Sequence, residues 1–510
     1  MFSKAYSAAI FGIDARIVSV EADVSDGLPV FDMVGYLGSE VKEARERVRV
    51  AIKNSGYRLP AKRITVNLSP ADVRKEGTAF DLSVAIAILT AFGHLPQECL
   101  KNTLIVGELS LNGNVNKVRG VLPVVYSAKE QGFTRCVVPL ENAGEGAVVQ
   151  GIAVYGITTL TEAALLLQGE LRKEPEQVDV AGLFAEDGRE DVLDFADVTG
   201  QLAAKHAIEI AVSGMHNLLM IGPPGSGKTM LAKRIPTIMP ELSLEESMEI
   251  SKIYSIAGLM KRQPLITRRP FRSPHHTITA PALTGGGKGP QPGEISLAHL
   301  GVLFLDEFPE FQKNTIEVLR QPMEEKSVTI ARLNASYCYP ADCMTVAAMN
   351  PCSCGYYPDR NRCNCSLNQI KRYLGRISQP LLDRFDICTE AQQVNYQELR
   401  HFTRPEASAQ IRRRVAGARR IQLERYHGEK IYFNSQLTPG LIKKYCKLEA
   451  REQSLLEEAF VKMNLSARAY HRILKVARTA ADLEGSERIT ARHISEAICY
   501  RSIDRKYWGE

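Results

Sequence analysis

The chain has no uninterrupted apolar run of about 18 residues, the length a membrane-spanning helix requires, so no membrane partner is expected. Its first residues, "MFSKAYSAAIFGIDARIV", lack both the long apolar core and the cleavage site of a secretory leader, which predicts a cytoplasmic location. There is no low-complexity tract and no repeat of solenoid length, which excludes fibrous and repeat architectures. A strong net charge is missing as well. The formal balance of +6 over 510 residues permits a nucleic-acid partner without arguing for one, because such a surface needs clustered bases rather than a slight excess.

What is present reads as globular. Hydrophobic residues make up 45% and charged residues 24%, and the length predicts about three domains, each able to bury its own core. Residues 1–168 alternate β-like runs ("RITVNL", "TLIVGELSL", "CVVPL") with helical ones, an α/β or α+β domain. Within it Asn112-Gly113 signals a hairpin, since both residues tolerate positive φ. Residues 169–194 turn acidic and lose periodicity, a linker or surface crossing. From 195 to 391 apolar strands alternate with helices, the pattern of a parallel sheet covered on both faces, and 392–510 is almost wholly helical. The fold class is therefore α/β with a helical C-terminal domain.

One loop carries unmistakable chemistry. In "NLLMIGPPGSGKTMLAKRI", Gly222, Pro223, Pro224, Gly225, Ser226, Gly227, Lys228 and Thr229 follow an apolar strand and open a helix. Glycines let backbone N–H groups close around phosphates, Lys228 reaches the β/γ-phosphates of ATP, and Thr229 ligates Mg²⁺. About eighty residues on, "GVLFLDEF" is an apolar strand ending in two acids, which a buried strand does not carry idly. Asp306 is assigned to the Mg²⁺ shell and Glu307 to polarising the attacking water. A third strand, "MTVAAMN", ends in Asn350, placed to hold that water from the other side. In "RISQPLLDRFDI", Arg384 suits an arginine presented to a neighbouring subunit's γ-phosphate; spacing alone is equally consistent with an ion pair to its acidic neighbours.

Together these residues resemble the AAA+ ATPases. The phrases "PFRSPHHTITAPALTGGGKGPQPGEISLAHLGVLFLDEFPEF" and "YPADCMTVAAMNPCSCGY" narrow the resemblance to the magnesium-chelatase-like family of YifB and ComM proteins, over essentially the whole chain. That resemblance implies a homo-oligomeric ring, usually a hexamer, built from a Lon-protease-like N-terminal domain, an AAA+ core and a helical lid. It implies ATP and Mg²⁺ as cofactors and no other small-molecule substrate. For ComM relatives it implies ATP-driven, sequence-nonspecific DNA helicase or branch-migration activity in natural transformation. Relatives usually carry glycine at the position of Gln379, but Asp383 and Arg384 remain. In the lid, "NLSARAYHRILKVARTAADLEG" resembles the family's second sensor and puts Arg468 at the start of a helix facing nucleotide, against the alternative of a solvated arginine. The arginines of "IRRRVAGARRIQLERY" spread over more than one helix face and read as solvated rather than as a DNA patch.

The Lon resemblance raises protease activity, which needs a serine nucleophile and a lysine base in reach of each other. Ala79 stands at the serine position and Leu122 at the lysine position, and Ser83 or Lys117 would substitute only with a shifted register. A non-proteolytic scaffold is expected. Protein-threading rings carry an aromatic-hydrophobic-glycine pore loop between the Lys228 and Asp306 motifs, and none stands out; Tyr254 in "IYSIAGLM" has helical surroundings. Instead "SVTIARLNASYCYPADCMTV" reads as two strands meeting near Arg332, Leu333 and Asn334. Such a hairpin resembles the DNA-contacting hairpin of branch-migrating rings, and one Arg332 per subunit would give a basic collar for phosphates. A purely structural hairpin at an interface is the alternative. Lys288 in "TGGGKGPQPGEIS" belongs to a second loop facing the pore or a partner. A protein-remodelling ATPase and the ATPase subunit of a metal-chelatase complex stay open beside the DNA motor.

Of 11 cysteines, Cys99, Cys136, Cys338, Cys343, Cys388, Cys446 and Cys499 are scattered and read as small buried hydrophobes. The other four, Cys352, Cys354, Cys363 and Cys365, form two C-x-C pairs in an insertion at 350–366. Structural Zn²⁺ leads here, ahead of reduced unliganded thiols and an iron–sulfur cluster; a catalytic zinc would need an open position that four thiolates do not leave.

Overall fold

Buried and more exposed residues alternate along Asp14–Ser25 and Arg63–Ser69 of the first sheet. In the computed structural model, which describes residues 1–187, 193–260, 263–287, 289–332, 335–393 and 406–508, β1 (Phe2–Phe11) and β2 (Asp14–Ser25) form one long hairpin. Its register pairs Phe2 with Asp23 and Phe11 with Asp14, around Gly12 at φ +65°. With β3 (Phe31–Val34), β4 (Arg63–Ser69), β5 (Thr103–Ile105), β6 (Arg135–Pro139) and β7 (Ala153–Ile157) the order is β3-β4-β2-β1-β5-β6-β7, a mixed sheet. The helix Asp81–Ala91 is apolar almost all round, as a helix must be when it is buried along its whole length. It packs across β1 and β2.

Two sequence expectations change in detail here. The Asn112-Gly113 hairpin exists, pairing Glu108–Leu109 with Val115–Asn116, but five residues span the turn and only Gly113 takes positive φ. The acidic stretch expected as a linker contains a helix, Val180–Asp187. Its Val180, Leu183 and Phe184 pack against the cluster that holds Val121, Val125 and Val149. Val178, Val180, Leu183 and Phe184 are partly buried against the domain surface, while Asp179 and Ala181 are exposed.

The second sheet has the opposite character. It comprises β8 (Leu218–Ile221), β9 (Phe271–Arg272), β10 (Val302–Leu305), β13 (Met344–Met349) and β14 (Ile387–Glu390), ordered β9-β10-β13-β8-β14 with every pair parallel. Between β10 and β13, β11 (Ser327–Arg332) and β12 (Ala335–Pro340) form a separate antiparallel hairpin. Parallel strands covered on both faces read as continuous apolar runs, and "LLMI", "VLFL" and "MTVAAM" are buried throughout. Leu218, Met220, Val302 and Phe304 face one core, and Leu219, Ile221, Leu303 and Leu305 face the other. The strand order reverses at β8, and the crevice beyond the carboxyl ends at such a reversal is where open α/β sheets bind ligands.

The helices Ser408–Arg425, Pro439–Tyr445, Ala450–Lys462, Ala467–Leu483 and Ala491–Trp508 complete the chain. Val415, Ile473 and Ala477 share one apolar cluster with Ile208 and Ile235 of the sheet domain, so the helical region is docked on that domain. Three arginines expected to be solvated are instead engaged. Arg414 grips Glu209 through two bonds of 2.6 and 3.0 Å, Arg425 donates to Asp482 at 2.8 Å, and the Arg419 guanidinium lies 3.5 Å over the Phe433 ring. The reason is that Ile411, Val415 and Ala418 draw this helix into the core, which brings its flanks against acids of neighbouring helices. Lys288, Leu333 and Asn334 lie outside the described residues.

Candidate active site

The carboxyl ends of β8, β10 and β13 converge, and each delivers one part of the site. After β8 the chain must turn tightly. A Cβ on Gly222 would lie 2.3 Å from the carbonyl oxygen of Ala391, and Gly225 and Gly227 take φ of +75° and +80°. Only glycine meets those demands cheaply. The helix Lys228–Ile238 starts at once, aiming its free N–H groups into the loop. The Lys228 ammonium is buried and donates to the carbonyls of Gly222 at 2.7 Å and Pro223 at 3.0 Å, and to Asn350 Oδ1 at 3.2 Å. Burial pushes it down to about 8, against the pull of the Asp306 carboxylate.

Thr229 Oγ1 donates to Asp306 Oδ2 at 2.6 Å. A hydroxyl and a carboxylate held this close beside a phosphate cradle are oxygen donors of the kind Mg²⁺ takes. The other Asp306 oxygen accepts from the Glu307 N–H at 3.0 Å, and Glu307 itself stands at φ +51°. That left-handed residue swings the second acid out of the strand direction, so its side chain is 62% exposed and open to a water. Lys228, Thr229, Asp306, Glu307 and Asn350 thus form one connected group.

Two residues that contact this site escape a reading of the sequence. His276 Nδ1 lies 3.2 Å from Glu307 Oε2, with its ring 4.1 Å from that of His275. The histidine pair in "SPHHT" was the available signal, but nothing in its spacing tied it to a strand end thirty residues later. Gln201, at φ +58°, donates to the Ser226 carbonyl at 3.0 Å and accepts from the Gln392 N–H at 3.2 Å, bracing the loop from behind. A lone glutamine carries no such signal.

Arg384 and Arg468 stand elsewhere. Arg384 is buried, bonding the Arg320 carbonyl at 3.0 Å and Glu324 at 2.8 Å, and Arg468 approaches the same Glu324 at 3.8 Å. Asn217 Nδ2 holds the Arg384 carbonyl at 3.1 Å. Asn217 precedes β8 and Gly222 follows it, so Arg384 sits at the amino end of the strand whose carboxyl end opens the phosphate loop. Five residue steps at about 3.3 Å each separate the two ends. Arg468, which the sequence suggested as facing nucleotide, is therefore grouped with Arg384 and not with Lys228. Both line a cleft of about 400 Å³ with Lys326, Arg472 and Lys475, where Glu324 and Asp386 pair with the arginines.

The remaining candidates fall into place around these groups. In the first domain Ala79 is partly buried and Leu122 wholly buried. The would-be substitutes are spoken for: buried Ser83 donates to the Phe80 carbonyl at 2.8 Å, and Lys117 to the Met260 carbonyl at 3.0 Å. Tyr254 lies in the helix Leu244–Ala257, as its surroundings suggested. Arg332 is exposed at the end of β11, paired in register with Ala335, and donates to the Gly287 carbonyl at 3.0 Å. The turn half of its hairpin leans on the first domain: Tyr337, paired with Ile330, has its ring centroid 5.0 Å from that of Phe11, and Arg332 lines a cavity with Phe11 and Arg16. Cys352, Cys354, Cys363 and Cys365 bring their sulfurs within 4.8 Å of one another.

The chain is similar to known proteins over nearly its whole length. Three family models match: "Magnesium chelatase, subunit ChlI" over residues 194–399, "Subunit ChlI of Mg-chelatase" over 20–142, and "Magnesium chelatase, subunit ChlI C-terminal" over 405–501. Competence protein ComM of Haemophilus influenzae is 43% identical over 502 residues, covering 98% of this chain and 97% of that protein. YifB of Escherichia coli is 42% identical over 505 residues, 99% of this chain and 97% of that protein. A shorter similarity, 26% identity over 148 residues, links 28% of this chain with 26% of Lon protease 2 of Bacillus subtilis.

Proposed function

The chain belongs to the magnesium-chelatase-like family of ComM and YifB proteins, and from that premise we propose that it is a Mg²⁺-dependent ATPase working as a ring-shaped motor on DNA. The observation that carries the ATPase reading is the single connected group of Lys228, Thr229, Asp306, Glu307 and Asn350 at the switch of a parallel sheet. Mg²⁺, when bound, would neutralise charge on the β- and γ-phosphates. The chain's own residues do the rest. Helix N–H groups and Lys228 bind the phosphates, while Thr229 and Asp306 offer the oxygens for the cation. Glu307, steered by His276, accepts a proton from the attacking water, and Asn350 orients that water from the opposite side.

Assembly follows from the position of the arginines. Arg384 and Arg468 share Glu324 on a face remote from Lys228, so a hydrolysing site completed by arginine must borrow it from a neighbour. That supports a closed homo-oligomer, a hexamer in our reading. The first 168 residues act in it as a Lon-like scaffold without proteolysis. DNA as the substrate rests on the ComM relationship and on Arg332 at the exposed hairpin end, where repetition around a ring would give a phosphate-binding collar.

The test is the ATPase rate with Mg²⁺ and with chelator, each without polymer and with single-stranded, duplex or four-way DNA. Stimulation by DNA, strongest on the branched substrate, is expected. Hydrolysis that ignores DNA but responds to unfolded protein would replace this reading with a protein-remodelling one. Metal insertion into a porphyrin on reconstitution, again without response to DNA, would replace it with a chelatase one.

A further inference from the structure

Directly after Asn350 the chain makes a loop that the phosphate site does not use, and its chemistry is concentrated in four sulfurs. Cys352 Sγ lies 3.3 Å from Cys354 Sγ and 3.7 Å from Cys363 Sγ, and Cys354 Sγ lies 3.5 Å from Cys363 Sγ. Cys365 completes the set within 4.8 Å of the other three. A tetrahedron of thiolates around one Zn²⁺, with Zn–S bonds of about 2.3 Å, spaces its sulfurs about 3.8 Å apart. All four cysteines are free, and a ring closed by one intervening residue would strain a disulfide. A multi-iron cluster has to fit between its sulfurs, whereas a set this tight encloses a single ion.

The surroundings are complementary to such a site. Four thiolates around a divalent ion leave two negative charges, and the loop supplies two arginines. Arg360 donates to the Cys365 carbonyl at 3.0 Å and lies over Tyr357, and Arg362 lies 4.1 Å over Tyr356. The Tyr357 N–H points at Cys352 Sγ at 3.5 Å, and the Ser353 hydroxyl lies 3.3 Å from Cys365 Sγ, the outer contacts that orient metal-bound thiolates.

The loop is also fastened to the phosphate loop at two points. Gly355, at φ +87°, packs so closely on Pro224 that a Cβ there would lie 2.4 Å from its ring. Arg362 bonds Gln393 at 2.8 Å, and Gln393 in turn donates to the Pro224 carbonyl at 3.4 Å. On its far side Tyr357 meets Tyr507 of the last helix, ring centroids 6.2 Å apart. We infer that Cys352, Cys354, Cys363 and Cys365 bind one structural Zn²⁺, and that this ion holds the loop as a clamp on the phosphate-binding turn. The clamp half rests on the ATPase reading; the metal half does not.

Elemental analysis of the full chain purified under reductant should find one zinc per chain. Cys363→Ser should lose it and Cys499→Ser, outside the loop, should keep it. Should Cys363→Ser fail to fold, the wild-type chain serves instead: chelator treatment under reductant should remove the zinc, and Co²⁺ added in its place should give the visible bands of a tetrahedral tetrathiolate. In the same preparations a fluorescent ATP analogue should bind about tenfold more weakly after zinc removal and recover on adding Zn²⁺ but not Mg²⁺. Metal-free wild-type protein, or protein carrying iron, would overturn the zinc assignment. Zinc present with analogue affinity indifferent to its removal would overturn the clamp. Zinc-loaded protein that binds no analogue at all would defeat the ATPase reading and the clamp with it, and leave the metal site standing.

Discussion

At the scale of single residues, Glu307 is the sharpest case, because in the proposed ATPase one carboxylate would separate binding from turnover. Its exposure and positive φ set it out from the strand, while Asp306 and Thr229 keep the phosphate side intact. Glu307→Gln should therefore bind ATP normally and lose hydrolysis by about 100-fold or more; near-normal turnover would remove Glu307 from the water-activating role. Lys228 makes a different prediction. Its ammonium is held down to about 8 by burial, and phosphate binding must raise that value by adding negative charge. Affinity for ATP should hold below pH 8 and fall as pH rises through it, with net proton uptake on binding above that point. Calorimetry in buffers of different ionisation heat reads that uptake directly, and its absence would mean Lys228 stays charged without nucleotide. Residues of this kind were legible from sequence because strand, glycine loop and helix are contiguous in the chain. His276 and Gln201 were not, since their partners are set by where separate strands end.

At the scale of elements, the β11–β12 hairpin and the arginine-rich helix show how differently two basic segments behave. The hairpin was readable from two β-like runs, and its pairing puts Arg332 at an exposed end. Arg332→Ala should weaken DNA binding and lower the slope of log affinity against log salt by about one per contacting subunit. Unchanged affinity for a four-way junction would sink that contact. In the helix Ser408–Arg425 the charges serve packing. Asp482 is buried and takes bonds from Arg425, Arg478 and Asn434. Asp482→Ala leaves two arginines without their carboxylate and should cost about 3–5 kcal/mol of stability, read by denaturant unfolding. Composition shows an arginine cluster in either case; only the neighbouring helices decide whether it meets acids or water.

At the scale of the whole molecule, the question is which residues work within one chain and which between chains. Arg384 and Lys228 lie at opposite ends of β8, so variants of the two should complement. Lys228→Ala and Arg384→Ala should each abolish hydrolysis alone, and an equal mixture should restore it at about a quarter of the interfaces, where an intact loop meets an intact arginine. No recovery in mixed assemblies would return Arg384 to a structural ion pair. The same contrast divides what sequence and fold each contributed. The sequence by itself determined the parallel sheet, the phosphate loop, the paired acids and the four-cysteine insertion, because each is written in a few contiguous residues with a fixed local geometry. Only the tertiary structure decided that Glu307 meets His276, that Arg468 stands with Arg384, and that the cysteine loop rests on Pro224. Those contacts join segments far apart in the chain, and their distances depend on how strands stack and where helices dock.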